Sequence, residues 1–260
     1  MLPNVMPQSA GTRRTRGFSL LEMMAAFAIM MIVIAVAVKG MIMMQTRNFA
    51  ETAKVDTVQE TRDFIDQMVR DIHDVGYPPP VAISGTANCA GTGVSCGLVQ
   101  FSPTQIKYEA DLDGTGTVYQ VWLQLQVPAS GNCPCILQRG VIDKASAVGG
   151  TAPTYYTEVN GVLNSGDGSG TPAYTVSLPG GGSYSTYATP AVFDAYDSNG
   201  TKYTNSTTGN YSCNTAADCQ TIRSLQITVN VVPGFMDQTT RMFQVFSITS
   251  KARLTNPPTS

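Results

Sequence analysis

The sequence predicts an α+β fold in which one long N-terminal helix packs on an antiparallel β-sheet. Three observations lead to this prediction. Residues 18–38 form an apolar run of 21 residues with a single charge. The residues that follow contain no proline before Pro78, and their apolar side chains recur at the spacing of an amphipathic helix. Beyond residue 80 the sequence changes to short alternating runs separated by turns, which are typical of β-strands.

The composition favours an exported structural protein over a cytosolic enzyme. Hydrophobic residues make up 43% of the 260 residues and charged residues only 13%, about half the usual charged share. The formal net charge of −2 argues against a nucleic-acid partner. The sequence contains a single histidine and lacks a P-loop, a dinucleotide fingerprint and a zinc-protease motif. It therefore offers no recognisable catalytic site. We therefore predict no enzymatic activity and no cofactor.

The apolar run at residues 18–38 is long enough to cross a bilayer, because a helix of this length measures about 31 Å. Three basic residues precede it: Arg13, Arg14 and Arg16. They place the N-terminus on the cytoplasmic side and the chain after Lys39 outside. A cleaved signal peptide ending near Ala37 and a plain signal anchor both agree with this pattern. Neither explains Glu22, because a carboxylate within an apolar run is costly in lipid.

The residues around Glu22, Arg16-Gly17-Phe18-Ser19-Leu20-Leu21-Glu22-Met23, resemble the type IV prepilin signature. The resemblance implies that a prepilin peptidase removes residues 1–17 by cutting after Gly17. It also implies N-methylation of the new N-terminal residue, Phe18. In a filament the carboxylate of Glu22 would pair with the Phe18 ammonium of a neighbouring subunit and set the axial register.

The helix is predicted to continue beyond the membrane, so that residues 18–76 form one element with residues 18–38 spanning the bilayer. Gly76 and the prolines after Tyr77 provide a stop signal. Residues 77–260 are predicted to form an extracytoplasmic β-rich domain with Gly- and Ser-rich loops. It should cover the apolar face of the second half of the helix, which consists of Val55, Val58, Ile65, Met68, Val69 and Ile72.

Four alternating runs predict the sheet. Residues 105–109 and 118–127 flank Asp113-Gly114, a pair that favours a hairpin turn. Residues 224–231 and 241–250 provide two further strands near the C-terminus. Residues 144–220 are rich in Gly, Ser, Thr, Tyr and Asn, and are predicted to be loops apart from a short strand at residues 192–196.

The chain beyond the helix is similar to PilW-like minor pilins in five segments, which are Ile106–Gly114, Leu137-Gln138-Arg139, Ile222–Ile227, Arg241-Met242-Phe243 and Arg253-Leu254-Thr255-Asn256. The resemblance implies a type IV pilin-like fold and a minor subunit that aids pilus assembly. Its partners would be other pilin subunits, the prepilin peptidase and the assembly machinery of the inner membrane. The chain would be a single-pass inner-membrane protein with a cytoplasmic N-terminus, and later part of a pilus in the periplasm and at the cell surface. A type II secretion pseudopilin and a signal-anchored or secreted binding module, such as an adhesin, remain alternatives.

Six cysteines follow the apolar run and predict disulfides in an oxidising compartment. They are Cys89, Cys96, Cys133, Cys135, Cys213 and Cys219. Cys89–Cys96 and Cys213–Cys219 are the simplest pairs because they close short loops. A bridge across one residue is expected to be strained, which favours partners elsewhere for Cys133 and Cys135.

Asp111 and Asp113 resemble the start of a calcium-binding loop, with oxygen ligands at alternate positions. The twelfth position of such a loop requires a bidentate glutamate, but Trp122 occupies it. A hairpin turn accounts for Asp113-Gly114 without a metal. We therefore predict no metal site and keep these two aspartates as a weak calcium candidate.

Overall fold

The computed structural model describes residues 17–79, 91–178, 184–206, 208–237 and 241–255. The chain divides into two compact units, Met1–Thr46 and Arg47–Ser260. Helix α1 (Leu20–Asp74) contributes to both units. It ends where Gly76 adopts a φ of 83°, a left-handed conformation that glycine tolerates and that commonly ends helices.

The described part of the first unit is the apolar portion of α1 and the residues just before it. Every residue from 17 to 46 is exposed, including its Phe, Leu, Ile and Met side chains. By its length and composition this portion is apolar enough to cross a membrane. Its apolar residues surround the helix, which is typical of a helix that lipid or other helices must cover.

The second unit packs the last turns of α1 on strands. The strands are β1 (Leu98–Ser102), β2 (Gln105–Ala110), β3 (Tyr119–Gln126), β4 (Asn132–Cys133), β5 (Cys135–Asp143), β6 (Tyr155–Val162), β7 (Thr175–Val176), β8 (Phe193–Tyr196), β9 (Ser224–Val231) and β10 (Phe246–Arg253). The short helices are α2 (Lys144–Val148), α3 (Ser185–Ala188) and a 3₁₀ turn at Asp218–Thr221.

Among the described residues, eight strands form one sheet in the order β1-β2-β3-β5-β6-β9-β10, with β8 also paired to β9. All of its pairings are antiparallel. Strands β4 and β7 form a separate parallel pair. The predicted hairpin is present as β2 and β3, and Gly114 in its turn has a φ of 70°. The prediction of an α+β fold is therefore confirmed, and the arrangement is consistent with a type IV pilin-like fold.

The core lies between α1 and the sheet. The helix contributes Phe64, Ile65, Met68 and Ile72, and strand β9 contributes four alternate residues from Leu225 to Val231. Burial of a side chain of this size stabilises the fold by about 1.5–3 kcal/mol. The sheet therefore covers the amphipathic stripe of the helix, as its spacing predicts.

Two details of the predicted elements are wrong. The spacing predicts that Val55 lies on the buried face of the helix, but its side chain is 61% exposed. The buried face includes Thr61 and Phe64 instead. The last strand begins at Phe246 rather than at residue 241. Before it, Phe243 and Val245 pack in a smaller cluster beneath the loops, so their apolar character reflects burial outside the sheet.

The prediction that residues 144–220 are loops, apart from one short strand, is also wrong. The short strand exists as β8, but β6 lies in the same region and pairs with both β5 and β9. Its sequence lacks a clear alternation of apolar and polar residues. Gly161 within it has a φ of 74°, and a Cβ there would lie 2.3 Å from the carbonyl oxygen of Val232. The close approach of the backbones at Gly161 and Val232 therefore requires a glycine in this strand. In the sequence this glycine favours the prediction of a loop.

Candidate processing and assembly site

The N-terminal end of α1 holds the residues that the signature singles out. Ser19 immediately precedes the helix, and its carbonyl oxygen accepts hydrogen bonds from the backbone N–H groups of Glu22 and Met23 at 3.0 and 3.1 Å. The carboxylate of Glu22 in turn accepts a hydrogen bond from the Ser19 N–H at 3.4 Å. The side chain of Glu22 thus satisfies a backbone donor at the start of the helix, as the glutamate of a capping box does.

Gly17 and Phe18 lie just before this cap and are open to approach. The side chain of Phe18 is 80% exposed. A Cβ added at Gly17 would meet no atom within 4 Å. Packing against the described residues therefore sets no requirement for glycine at this position.

The segment around Gly17 and Glu22 matches a known sequence motif. Residues 12–38 match the family model of the prokaryotic N-terminal methylation motif. No curated protein and no solved structure matches the chain. The methylation motif covers the signature, the start of α1 and the apolar run, and it indicates a type IV pilin-like or pseudopilin-like protein that a prepilin peptidase processes.

The methylation motif indicates how the chain is processed, assembled and anchored. It implies processing by a prepilin peptidase and assembly within a pilin or pseudopilin system. Together with the apolar portion of α1, it indicates membrane anchoring. It is a structural motif and does not define a family of enzymes. Most of the predicted leader, residues 1–16, lies outside the described residues.

The cysteines stabilise the second unit. Cys213 is bonded to Cys219, as the simplest local pairing predicts. Cys133 is bonded to Cys135, contrary to the expectation that each has a partner elsewhere. Their Cα atoms are 4.4 Å apart, at the short end of the range for disulfides, and both residues are fully buried. Cys96 is also in a disulfide, and its predicted partner Cys89 lies outside the described residues.

The calcium candidate forms the turn between β2 and β3. The Oδ1 atom of Asp113 accepts hydrogen bonds from the N–H and hydroxyl of Thr115, and these lower the pKa of the Asp113 carboxyl. The Oδ2 atom of Asp111 accepts one from the Gly116 N–H at 2.8 Å. Among the described residues no group of three or more His, Cys, Asp and Glu side chains is placed to hold a metal ion. Turn formation therefore accounts for these hydrogen bonds.

Two polar networks that sequence reasoning missed hold the second unit together. Lys144 and Glu109 form an ion pair of 2.8 Å in which both side chains are almost fully buried. Arg139 of β5 and the hydroxyl of Tyr108 both donate to Asp71 of α1, at 2.7 and 2.9 Å. Burial and the neighbouring Asp71 carboxylate raise the pKa of Tyr108 well above its ordinary value.

Proposed function

We propose that this chain is a minor pilin subunit of a bacterial type IV pilus and aids pilus assembly by priming or capping the filament. The observation that supports this most strongly is the methylation motif at residues 12–38. In the same chain the apolar start of α1 is exposed on all sides, while its later turns are covered by a sheet. A chain of this kind has one portion for a membrane or a filament core and another that remains folded outside it.

Processing would begin in the inner membrane, with the N-terminus in the cytoplasm. The peptidase would cut after Gly17, remove residues 1–17 with their three arginines, and methylate Phe18. The apolar portion of α1 would hold the subunit in the membrane until its extraction. It would then be buried against the helices of other pilin subunits, with the domain that follows on the outside of the pilus.

Glu22 would change partners during assembly. In the isolated subunit the donor that its carboxylate meets among the described residues is the nearby Ser19 N–H, at a long distance of 3.4 Å. In a filament the ammonium of Phe18 in a neighbouring subunit would offer a stronger, charge-assisted hydrogen bond. A poorly solvated pair of this kind favours correct register more than overall stability.

The mass of the mature N-terminus tests the proposal. Membrane fractions and sheared filaments should both contain a chain that begins with N-methylated Phe18. A chain that begins at Val38 would instead indicate ordinary export of a secreted binding module, and a chain that retains residues 1–17 would exclude prepilin processing. A deletion strain separates the two filament systems, since a minor pilin predicts loss of pili and a pseudopilin predicts loss of protein secretion.

Two substitutions of Glu22 separate its charge from its capping role. Glu22→Val should be processed normally but be largely absent from sheared filaments. Glu22→Gln keeps an acceptor for the Ser19 N–H but removes the charge, so it should be excluded from filaments to the same extent. Normal incorporation of the glutamine variant would show that Glu22 serves the helix cap and not the pairing between subunits.

A further inference from the structure

A cluster of positive charge lies in the second unit, where β8, β9 and β10 lie side by side. Its centre is a cavity of about 530 Å³. Three basic residues line the cavity: Arg223, Lys251 and Arg253. Arg223 immediately precedes β9, whereas the two others are exposed residues of β10. Being two positions apart in one strand, Lys251 and Arg253 point to the same face of the sheet.

Two of these cations are held in place by groups that do not neutralise them. The guanidinium of Arg223 donates to the carbonyl oxygens of Gln220 and Ile222. The ammonium of Lys251 lies 4.0 Å from the centre of the Tyr196 ring, whose face attracts cations. The positive charges of Arg223 and Lys251 are therefore ordered before any ligand binds, which lowers the entropic cost of binding one.

The cluster has an excess of positive charge. The ion pairs between described residues involve other cations and include none of these three. One carboxylate, Asp197, also lines the cavity, and its Oδ1 atom accepts hydrogen bonds from the N–H groups of Asn199 and Thr201, each at 2.8 Å. Three positive charges against one negative charge leave an excess of two, whose mutual repulsion a dianion would relieve.

We propose that this cavity binds a phosphate monoester. At neutral pH such a group carries close to two negative charges and three acceptor oxygens. Arginine guanidinium groups match phosphate oxygens in geometry, and the hydroxyls of Ser198 and Ser224 in the same cavity provide further donors. The cavity is much larger than one phosphate group, which leaves room for the molecule that carries it. This inference does not depend on the proposed role in a pilus.

The test is isothermal titration of the full-length chain in a neutral detergent at pH 7.5. Inorganic phosphate and glucose 1-phosphate serve as the two probes. The wild type should bind one equivalent of phosphate group, and a variant with both Lys251→Gln and Arg253→Gln should bind at least about tenfold more weakly. Tighter binding of glucose 1-phosphate than of inorganic phosphate would support a monoester as the ligand, whereas equal or weaker binding would overturn it in favour of the free anion.

Lys107→Gln is the matched control. The ammonium of Lys107 lies 3.6 Å from the centre of the Trp122 ring, so it stacks on an aromatic side chain as Lys251 does but does not line the cavity. Its substitution should leave the affinity unchanged. The proposal is overturned if the wild type binds neither probe. It is also overturned if the double variant binds like the wild type while circular dichroism shows it folded, or if Lys107→Gln weakens binding equally.

Discussion

Residues 20–46 and residues 47–74 of α1 both carry apolar side chains, but buried ones among residues 20–74 occur only in the second set. Met24 in the first is 64% exposed, whereas Met68 in the second is fully buried. The difference follows from the pattern of apolar residues. A stripe along one side of a helix can be buried by a single sheet, whereas apolar residues on all sides need lipid or several helices. The same type of residue therefore stabilises the fold in residues 47–74 and remains available for lipid or other helices in residues 20–46.

The largest expected effect concerns removal of the leader that precedes the first portion. Gly17→Ala should block leader removal almost completely, because the proposed peptidase requires glycine at the cut. Gly40→Ala is the matched control, since an added Cβ meets no atom within 4 Å at either position. Mass spectrometry of the membrane-bound chain checks both variants. A normally shortened Gly17→Ala product would contradict recognition by a prepilin peptidase.

The same substitution in the two portions should have very different effects on stability. Met68→Ala should lower the free energy of unfolding of the second unit by about 2–5 kcal/mol, because it leaves a cavity between helix and sheet. Met24→Ala removes an exposed side chain and should leave the free energy of unfolding of the second unit unchanged. Urea unfolding in detergent checks this, with fluorescence of the single tryptophan, Trp122 in β3, as the signal. Equal losses in the two variants would mean that the sheet does not distinguish the two portions.

The smallest expected effect concerns how the stability of the second unit depends on pH. Burial raises the pKa of Glu158 in β6, and the guanidinium of Arg139 opposes this rise without cancelling it. The carboxylates of Asp71 and Glu60 on α1 act in the same direction as burial. Because the folded state disfavours the charged form, stability should decrease as the pH rises through the folded pKa of Glu158. Glu158→Gln should therefore raise the midpoint of unfolding slightly at pH 7.

The benefit of Glu158→Gln should disappear below about pH 4, where Glu158 is protonated in both states. Thermal unfolding of both proteins at pH 7 and below about pH 4 measures the difference in midpoint. Asp56→Asn is the control, because Asp56 on α1 is exposed and takes part in none of the ion pairs between described residues, and it should leave the midpoint unchanged at both. A gain for Glu158→Gln that is equal at both pH values would refute the electrostatic explanation.

The correct sequence-based predictions are those with local causes. The Asp113-Gly114 pair forms a turn with its immediate neighbours, and the alternation of residues 224–231 places every second side chain in the core. Strand β6 was missed because its pairing with β5 and β9, and not its own pattern, holds it in the sheet. The hydrogen bond from Ser19 to Glu22 could have been found, since serine followed three residues later by glutamate is a known capping pattern.

By itself the sequence determined the helix, its apolar run, the hairpin and the methylation motif, because each depends on residues close together in the chain. Tertiary structure decided which residues of the helix are buried, how Asp71 meets Arg139, and how Arg223 joins Lys251 and Arg253 around one cavity. These contacts join residues far apart in the chain. They depend on strand order and register, and no local spacing encodes them.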